Sequence, residues 1–148
     1  MSLLAQIQQE LKAAMLAKDA DRLGTLRLLK SAIGYAQIEK KNENLPDADL
    51  VAIIQKEIKK RRDSIEQFTT GGRLELAGKE EAEIRVLEHF LPKQLASEEL
   101  EQLVRDTIRD VGATGKKDMG PVIKAVQAKA AGRADGKAIS AAVSRLLP

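Results

Sequence analysis

Lysine and arginine set beside glycine, at points where the chain turns, are the residues of this sequence best suited to chemistry, and the chemistry is anion binding. They concentrate in "GATGKKDMGPVIKAVQAKAAGRADGKAIS", residues 112–140, with glycine-lysine pairs at Gly115-Lys116 and Gly136-Lys137. A Walker A loop would need a glycine five residues before the Gly-Lys pair and Ser or Thr after the lysine, so that amides wrap the phosphates and the hydroxyl holds magnesium. Here those positions are Asp110 and Lys117 for the first pair, Ala131 and Ala138 for the second, and the motif fails at both. A simpler anion site stays open. Each loop introduces a helix N-terminus, where unpaired amides and the macrodipole favour negative charge beside the lysines. Equally open is that Gly112, Gly115, Gly132 and Gly136 are only stops and turns, with Asp118 and Asp135 capping the amides.

Charge distribution favours the anion. The net charge of +3 is mild, but residues 112–148 hold seven Lys/Arg (Lys116, Lys117, Lys124, Lys129, Arg133, Lys137, Arg145) against Asp118 and Asp135. The first 111 residues hold 18 basic against 20 acidic side chains. A net of +5 in the last quarter against −2 in the rest is a polarity that attracts an anionic partner. The basic run "KEIKKRRDSIEQ" at 56–67 reads instead as a solvated helix face. Its Glu57, Asp63 and Glu66 dilute the field through i,i+4 pairs Glu57 with Arg61, Lys59 with Asp63 and Arg62 with Glu66.

The elements that must hold these loops are helical. Ala, Leu, Ile, Lys and Glu dominate and aromatics make up 2%, so the core is aliphatic. A first helix over about 2–17 places Leu4, Ile7, Leu11, Ala14 and Met15 inward. Asp19 or Asp21 caps a second, with Leu26, Leu29, Ile33 and Ala36 on one face and Leu28, Ala32 and Tyr35 widening it, as in a central helix with neighbours on two sides. After Pro46, with Asp47 as cap, Leu50, Ile53, Ile54, Ile58, Ile65 and Phe68 carry a third. Gly71 and Gly72 stop it, and Ile84, Leu87, Phe90 and Leu91 line a fourth that Pro92 ends. Ser97 caps a fifth with Leu100, Leu103, Val104, Ile108 and Val111, closed by Gly112. Asp118 caps a sixth containing Pro121, Val122, Ile123 and Val126, and Asp135 or Ser140 opens a seventh with Ile139, Val143, Leu146 and Leu147. The expectation is an all-α protein: an N-terminal helical domain of about four helices over 1–93 and a three-helix domain over 94–148.

No apolar run approaches the roughly 20 residues that span a bilayer, the N-terminus lacks the pattern of a secretory signal, and there is no cysteine. A cytoplasmic protein without disulfides or thiolate sites is expected. The single histidine, His89, has no second histidine or cysteine to share a metal and reads as a half-exposed residue at the negative end of its helix. The carboxylates of "KEEAE" at 79–83 read as a solvated helix start rather than an acid/base pair. Neither a metal nor a cofactor is expected.

The segments "KKDMG" (116–120) and "GRADGKAIS" (132–140), joined by an aliphatic helix, closely resemble the YqeY family, and equally the tail domain of the GatB subunit of the tRNA-dependent amidotransferase. The likeness runs through "LRLLKSAI" (26–33), "IQKEIKKRRDSIEQF" (54–68) and "GRLELAGKEEAEIRVLEHFLPKQL" (72–95), so it covers essentially the whole chain. It implies a helical N-terminal domain and a three-helix C-terminal one, agreeing with the periodicity. At this length the chain is expected to be a free-standing member. The resemblance further implies a contact with the body of a tRNA by the basic loops, pointing to Lys116, Lys117, Gly120, Arg133, Gly136 and Lys137. Lys124, on the helix between, completes the expected RNA-binding set. Pro121 stands where the resemblance leads one to expect a basic residue in many relatives, which would reduce the charge of that helix here.

The same resemblance carries an association with carbon-nitrogen ligase activity that uses glutamine as nitrogen donor. Amide transfer needs a glutamine-hydrolysing nucleophile, an ATP site and magnesium ligands, and no motif for any of them is present in the chain. The expectation is therefore a helical protein, non-catalytic by itself, that binds tRNA or other structured RNA. Scarce aromatics favour backbone shape over base stacking. The rival is an adaptor that docks on an amidotransferase or an aminoacyl-tRNA synthetase without touching RNA.

Overall fold

A computed structural model describes all 148 residues as seven α-helices: α1 (Leu3–Leu16), α2 (Ala20–Lys40), α3 (Asp47–Thr70), α4 (Leu74–Glu88), α5 (Ser97–Val111), α6 (Met119–Ala130) and α7 (Gly136–Leu146). A 3-10 turn, Lys116–Asp118, leads into α6. There is no strand, and no helix is long and apolar enough to cross a membrane. The helices fall into two compact units, Met1–Leu91 and Pro92–Pro148.

In the first unit α1–α4 surround an aliphatic core. Ile7, Leu26, Leu29, Ile33, Leu50, Ile54 and Leu87 are at most 3% exposed, and burying each such side chain stabilises by about 1.5–3 kcal/mol. The sequence period explains most of it, with three corrections. Met15, Leu28 and Tyr35, expected inside, are 52%, 52% and 76% exposed. Leu28 and Tyr35 sit too far round α2 from Leu26, Leu29 and Ile33, and the core takes only the narrower stripe. Asp47 does not cap α3, which starts at Asp47 behind Pro46. Its Oδ1 instead accepts the Leu3 N–H at 3.1 Å, tying the start of α1 to the start of α3. Asp19 does cap α2, accepting from Arg22 N.

The third correction concerns the face of α3 read as solvated. Glu57 and Arg61 are each 8% exposed, enclosed against α4. Arg61 Nη1 donates to the Glu57 carbonyl at 3.0 Å, and the guanidinium lies 3.7 Å from both Glu57 Oε1 and Glu83 Oε2. Lys60 closes on Glu57 at 3.0 Å, and Arg62 reaches Glu88 at 3.8 Å. Of the i,i+4 pairs expected on this face, Glu57 with Arg61 is present as an ion pair, and α4 adds Glu83 to Arg61 and Glu88 to Arg62.

In the second unit α5, α6 and α7 pack on one another around Val104, Val122, Val126, Ile139 and Val143, each at most 1% exposed. Thr107, fully buried, joins them by donating its hydroxyl to the Leu103 carbonyl at 2.7 Å, while Val111, expected inside, is 45% exposed. Gly112, at φ +74°, ends α5 in the left-handed conformation that only glycine takes cheaply. Ser97 lies inside α5 rather than capping it, and Glu99 serves the start by accepting the Ala96 N–H at 3.1 Å.

Candidate nucleic-acid interface

The second unit sorts its cations by what they already hold. Lys129 Nζ reaches Asp110 Oδ2 at 3.1 Å, and Arg145 reaches Glu101 Oε1 at 2.8 Å, so two cations are compensated by carboxylates of α5. Lys116 Nζ donates to the Ser144 carbonyl in the last turn of α7, where the negative end of the helix favours a cation. Arg133 Nε donates to the Lys93 carbonyl at 3.1 Å. Around it the Arg133 carbonyl accepts Leu95 N–H at 2.8 Å and Gly132 O accepts Gln94 Nε2 at 3.1 Å, which clasps the segment before α5 onto the α6–α7 turn.

Lys117, Lys124 and Lys137 are all exposed and form no ion pair. Their placement follows from the helices. Gly120, Lys124 and Gln127 recur at i, i+4 and i+7 on α6, so they share one face. Lys117 precedes Gly120 by three residues in the 3-10 turn that runs into α6. Gln127 Nε2 lies 3.6 Å from the position a Cβ on Gly136 would take, which sets the start of α7 beside the far end of that face. Lys124 and Lys137 are each within a turn of this contact. Of the seven residues singled out in the sequence, Lys124, Gly136 and Lys137 lie at this contact, and Gly120 and Lys117 continue the α6 face towards its N-terminal end. Lys116 is drawn to the opposite end of α7, eight residues or about 12 Å along its axis from Gly136, and Arg133 is held at the clasp.

The amides are less available than the loops suggested. Asp135 Oδ1 caps α7 by accepting Ala138 N–H at 2.7 Å. The 3-10 turn pairs Asp118 N–H with Gly115 O at 3.0 Å and Met119 N–H with Lys116 O. Asp118, expected to cap α6, turns its carboxylate to the Thr114 N–H at 2.9 Å and closes the loop before the helix. What this edge can present to an anion is a row of lysine side chains over a glycine- and glutamine-bearing surface.

Two features of the first unit bear on chemistry. His89, half exposed, has Nε2 3.7 Å from Glu10 Oε1 and meets Phe90 edge-on at 5.3 Å. The carboxylates at 79–83, expected to be a solvated helix start, in part face the buried Arg61. Burial pushes the Glu80 carboxyl up, helped by the negative charge of Glu83 and by a hydrogen bond shared with it, with Arg61 opposing. A raised pKa means the fold prefers Glu80 protonated. Its contribution is complete below the unfolded value of 4.5 and is lost as pH rises through the folded value. Glu80→Gln should therefore be more stable than the parent at pH 7, with the gap in urea midpoint closing towards pH 4. A constant gap across that range would refute the assignment.

The chain matches the family model described as Yqey-like protein over residues 4–147. Among curated relatives, an uncharacterized protein of Schizosaccharomyces pombe is 38% identical over 96 residues, which is 65% of this chain and 77% of that one. Altered inheritance of mitochondria protein 41, mitochondrial, of Kluyveromyces lactis is 39% identical over 87 residues, covering 59% of this chain and 47% of that protein. Its namesake in Pyrenophora tritici-repentis is 32% identical over 133 residues, 88% of this chain and 72% of that one. The chain thus spans about half the length of some relatives and about three quarters of others.

Proposed function

Because the chain belongs to the YqeY family, with nearly its whole length under the family model, we propose that its C-terminal unit binds structured RNA, tRNA foremost, by phosphate contacts. The observation that carries this reading is the set of three exposed lysines without ion pairs, Lys124 and Lys137 beside the α6–α7 contact at Gln127 and Gly136 and Lys117 at the start of α6. Lysine is a mobile point charge, so such an edge follows a phosphate backbone and does not read bases. The likeness of the unit to the amidotransferase tail domain supports the same ligand and assigns the chain an auxiliary role in glutamine-dependent amide transfer to tRNA, with the chemistry supplied by other subunits. The compartment is one that holds tRNA: for this chain the cytoplasm, and for the relatives named mitochondrial the organelle.

An adaptor would dock through the mixed-charge face of α3. That face is partly spent inside the unit, on Arg61, Glu57 and the Arg62–Glu88 pair, and leaves less surface for a protein partner. The test is a filter-binding titration of tRNA at rising salt. Three to four phosphate contacts predict a log–log slope of about −3. A flat response, or no binding by the unaltered chain, would overturn the RNA reading and favour the adaptor.

A further inference from the structure

The outward face of α2 carries Leu28, Tyr35 and Ile38 at 52%, 76% and 77% exposure, with no other helix of the first unit over them. Together with Asp21, Gly24 and Ser31, also exposed, they recur at alternating steps of three and four residues, the spacing of a helix–helix seam, and Lys41, the exposed left-handed cap residue, follows Ile38 just beyond the helix. Gly24 lies inside the helix, where glycine is costly, and no atom comes within 4 Å of the place its Cβ would take. The fold of the single chain gives no reason for that glycine.

The order of residues along the seam supplies one. Ser31 stands seven residues from both Gly24 and Ile38, and ten from both Asp21 and Lys41, while Leu28 and Tyr35 flank it at three and four. Laid end for end on itself about Ser31, the seam sets Ile38 over Gly24, Leu28 beside Tyr35, Ser31 against Ser31 and Asp21 against Lys41. Large residues meet small ones, and the acid at one end meets the base at the other. Asp21 and Lys41 make no ion pair within the chain, the neighbouring Lys40 being the residue that holds Asp49 at 3.1 Å. We propose that α2 is a two-fold contact surface whose partner is α2 of a second copy of this chain. Such self-complementarity is what an isologous interface requires, since every pairing must occur twice. The 21-residue helix is about 31 Å long, and its footprint is well below the ~800 Å² per partner of a standard interface. The dimer is therefore weak and depends on concentration.

The chain has no cysteine, which makes the test clean. Ser31→Cys in the full chain should form a disulfide-linked dimer on mild oxidation about tenfold or more faster than Asp63→Cys, an exposed site on α3, through local concentration at the two-fold. In sedimentation equilibrium the unaltered chain should show a dimer fraction rising with concentration. Asp21→Lys should lower that fraction, and Asp21→Lys with Lys41→Asp should restore it. Tyr35→Glu should abolish it without changing the melting curve, because the side chain lies outside the core. Equal oxidation rates for the two cysteine variants, a monomer at every concentration, or no rescue by the charge exchange would each overturn the proposal.

Discussion

Replacing Arg61 by alanine should destabilise the N-terminal unit by about 3 kcal/mol, although no core hydrophobe is touched. Removing one partner of a buried charge cluster leaves the others uncompensated, at a typical cost of about 3–5 kcal/mol. Arg61 is 8% exposed and is the cation shared by Glu57 and Glu83, each 3.7 Å away. The lower end of the range applies. Lys60 stays on Glu57 at 3.0 Å, and both guanidinium distances are long for a charge-assisted hydrogen bond. Arg61 Nε is itself buried without a hydrogen-bond partner, so the parent already carries a penalty there. A second variant separates charge from volume. Arg61→Met with Glu57→Gln and Glu83→Gln removes the charges together and should recover most of the loss. Melting of the full chain checks both. With about 4–8 °C per kcal/mol for a unit of this size, Arg61→Ala should lower its transition by more than about 10 °C. A fall of only a degree or two would mean the cluster is well hydrated and energetically neutral.

The second large effect is on binding. Reversing Lys117, Lys124 and Lys137 to glutamate should weaken tRNA association by about 100-fold or more near physiological salt, since three attractive phosphate contacts become three repulsive ones. Stability should hardly move, because the three side chains are exposed and hold no partner in the fold. For the pair Lys124 and Lys137 reversed alone, reversing Lys129 and Arg145 is the matched control. The two pairs carry the same formal charge, but Asp110 and Glu101 already compensate the second, so its loss should weaken binding far less. Equal losses from the two sets would show that net charge alone matters and that the α6–α7 edge has no special place.

How far the sequence revealed the molecule differs between fold and site. Helix positions were legible because leucine, isoleucine and valine recur at the helical period and glycine, proline and aspartate punctuate them. Gly112 ending α5 and Asp135 capping α7 are cases in point. Three kinds of feature were not legible. Leu28 and Tyr35 look like core residues to a periodicity argument, because apolarity shows that a side chain avoids water without saying what covers it. Arg61 and Glu57 look like surface charges, because their burial depends on the approach of α4, a long-range event that local spacing does not encode. The basic set could be listed from its residue types. The division of that list into cations held by Asp110, Glu101 or Ser144 and lysines without a partner required the packing of α5 and α7 against α6. The one sequence signal pointing to this division was the pair of carboxylates Glu101 and Asp110 at opposite ends of α5.

The measurement that bears most directly on the RNA reading is a tRNA titration of the full chain with its lysines labelled by reductive methylation with carbon-13 and followed by NMR. The methyl signals of Lys117, Lys124 and Lys137 are expected to shift first and together, while those of Lys56, Lys59 and Lys60 on α3 and of the paired Lys129 stay in place. Shifts that begin on α3, or that spread evenly over all lysines, would contradict that reading.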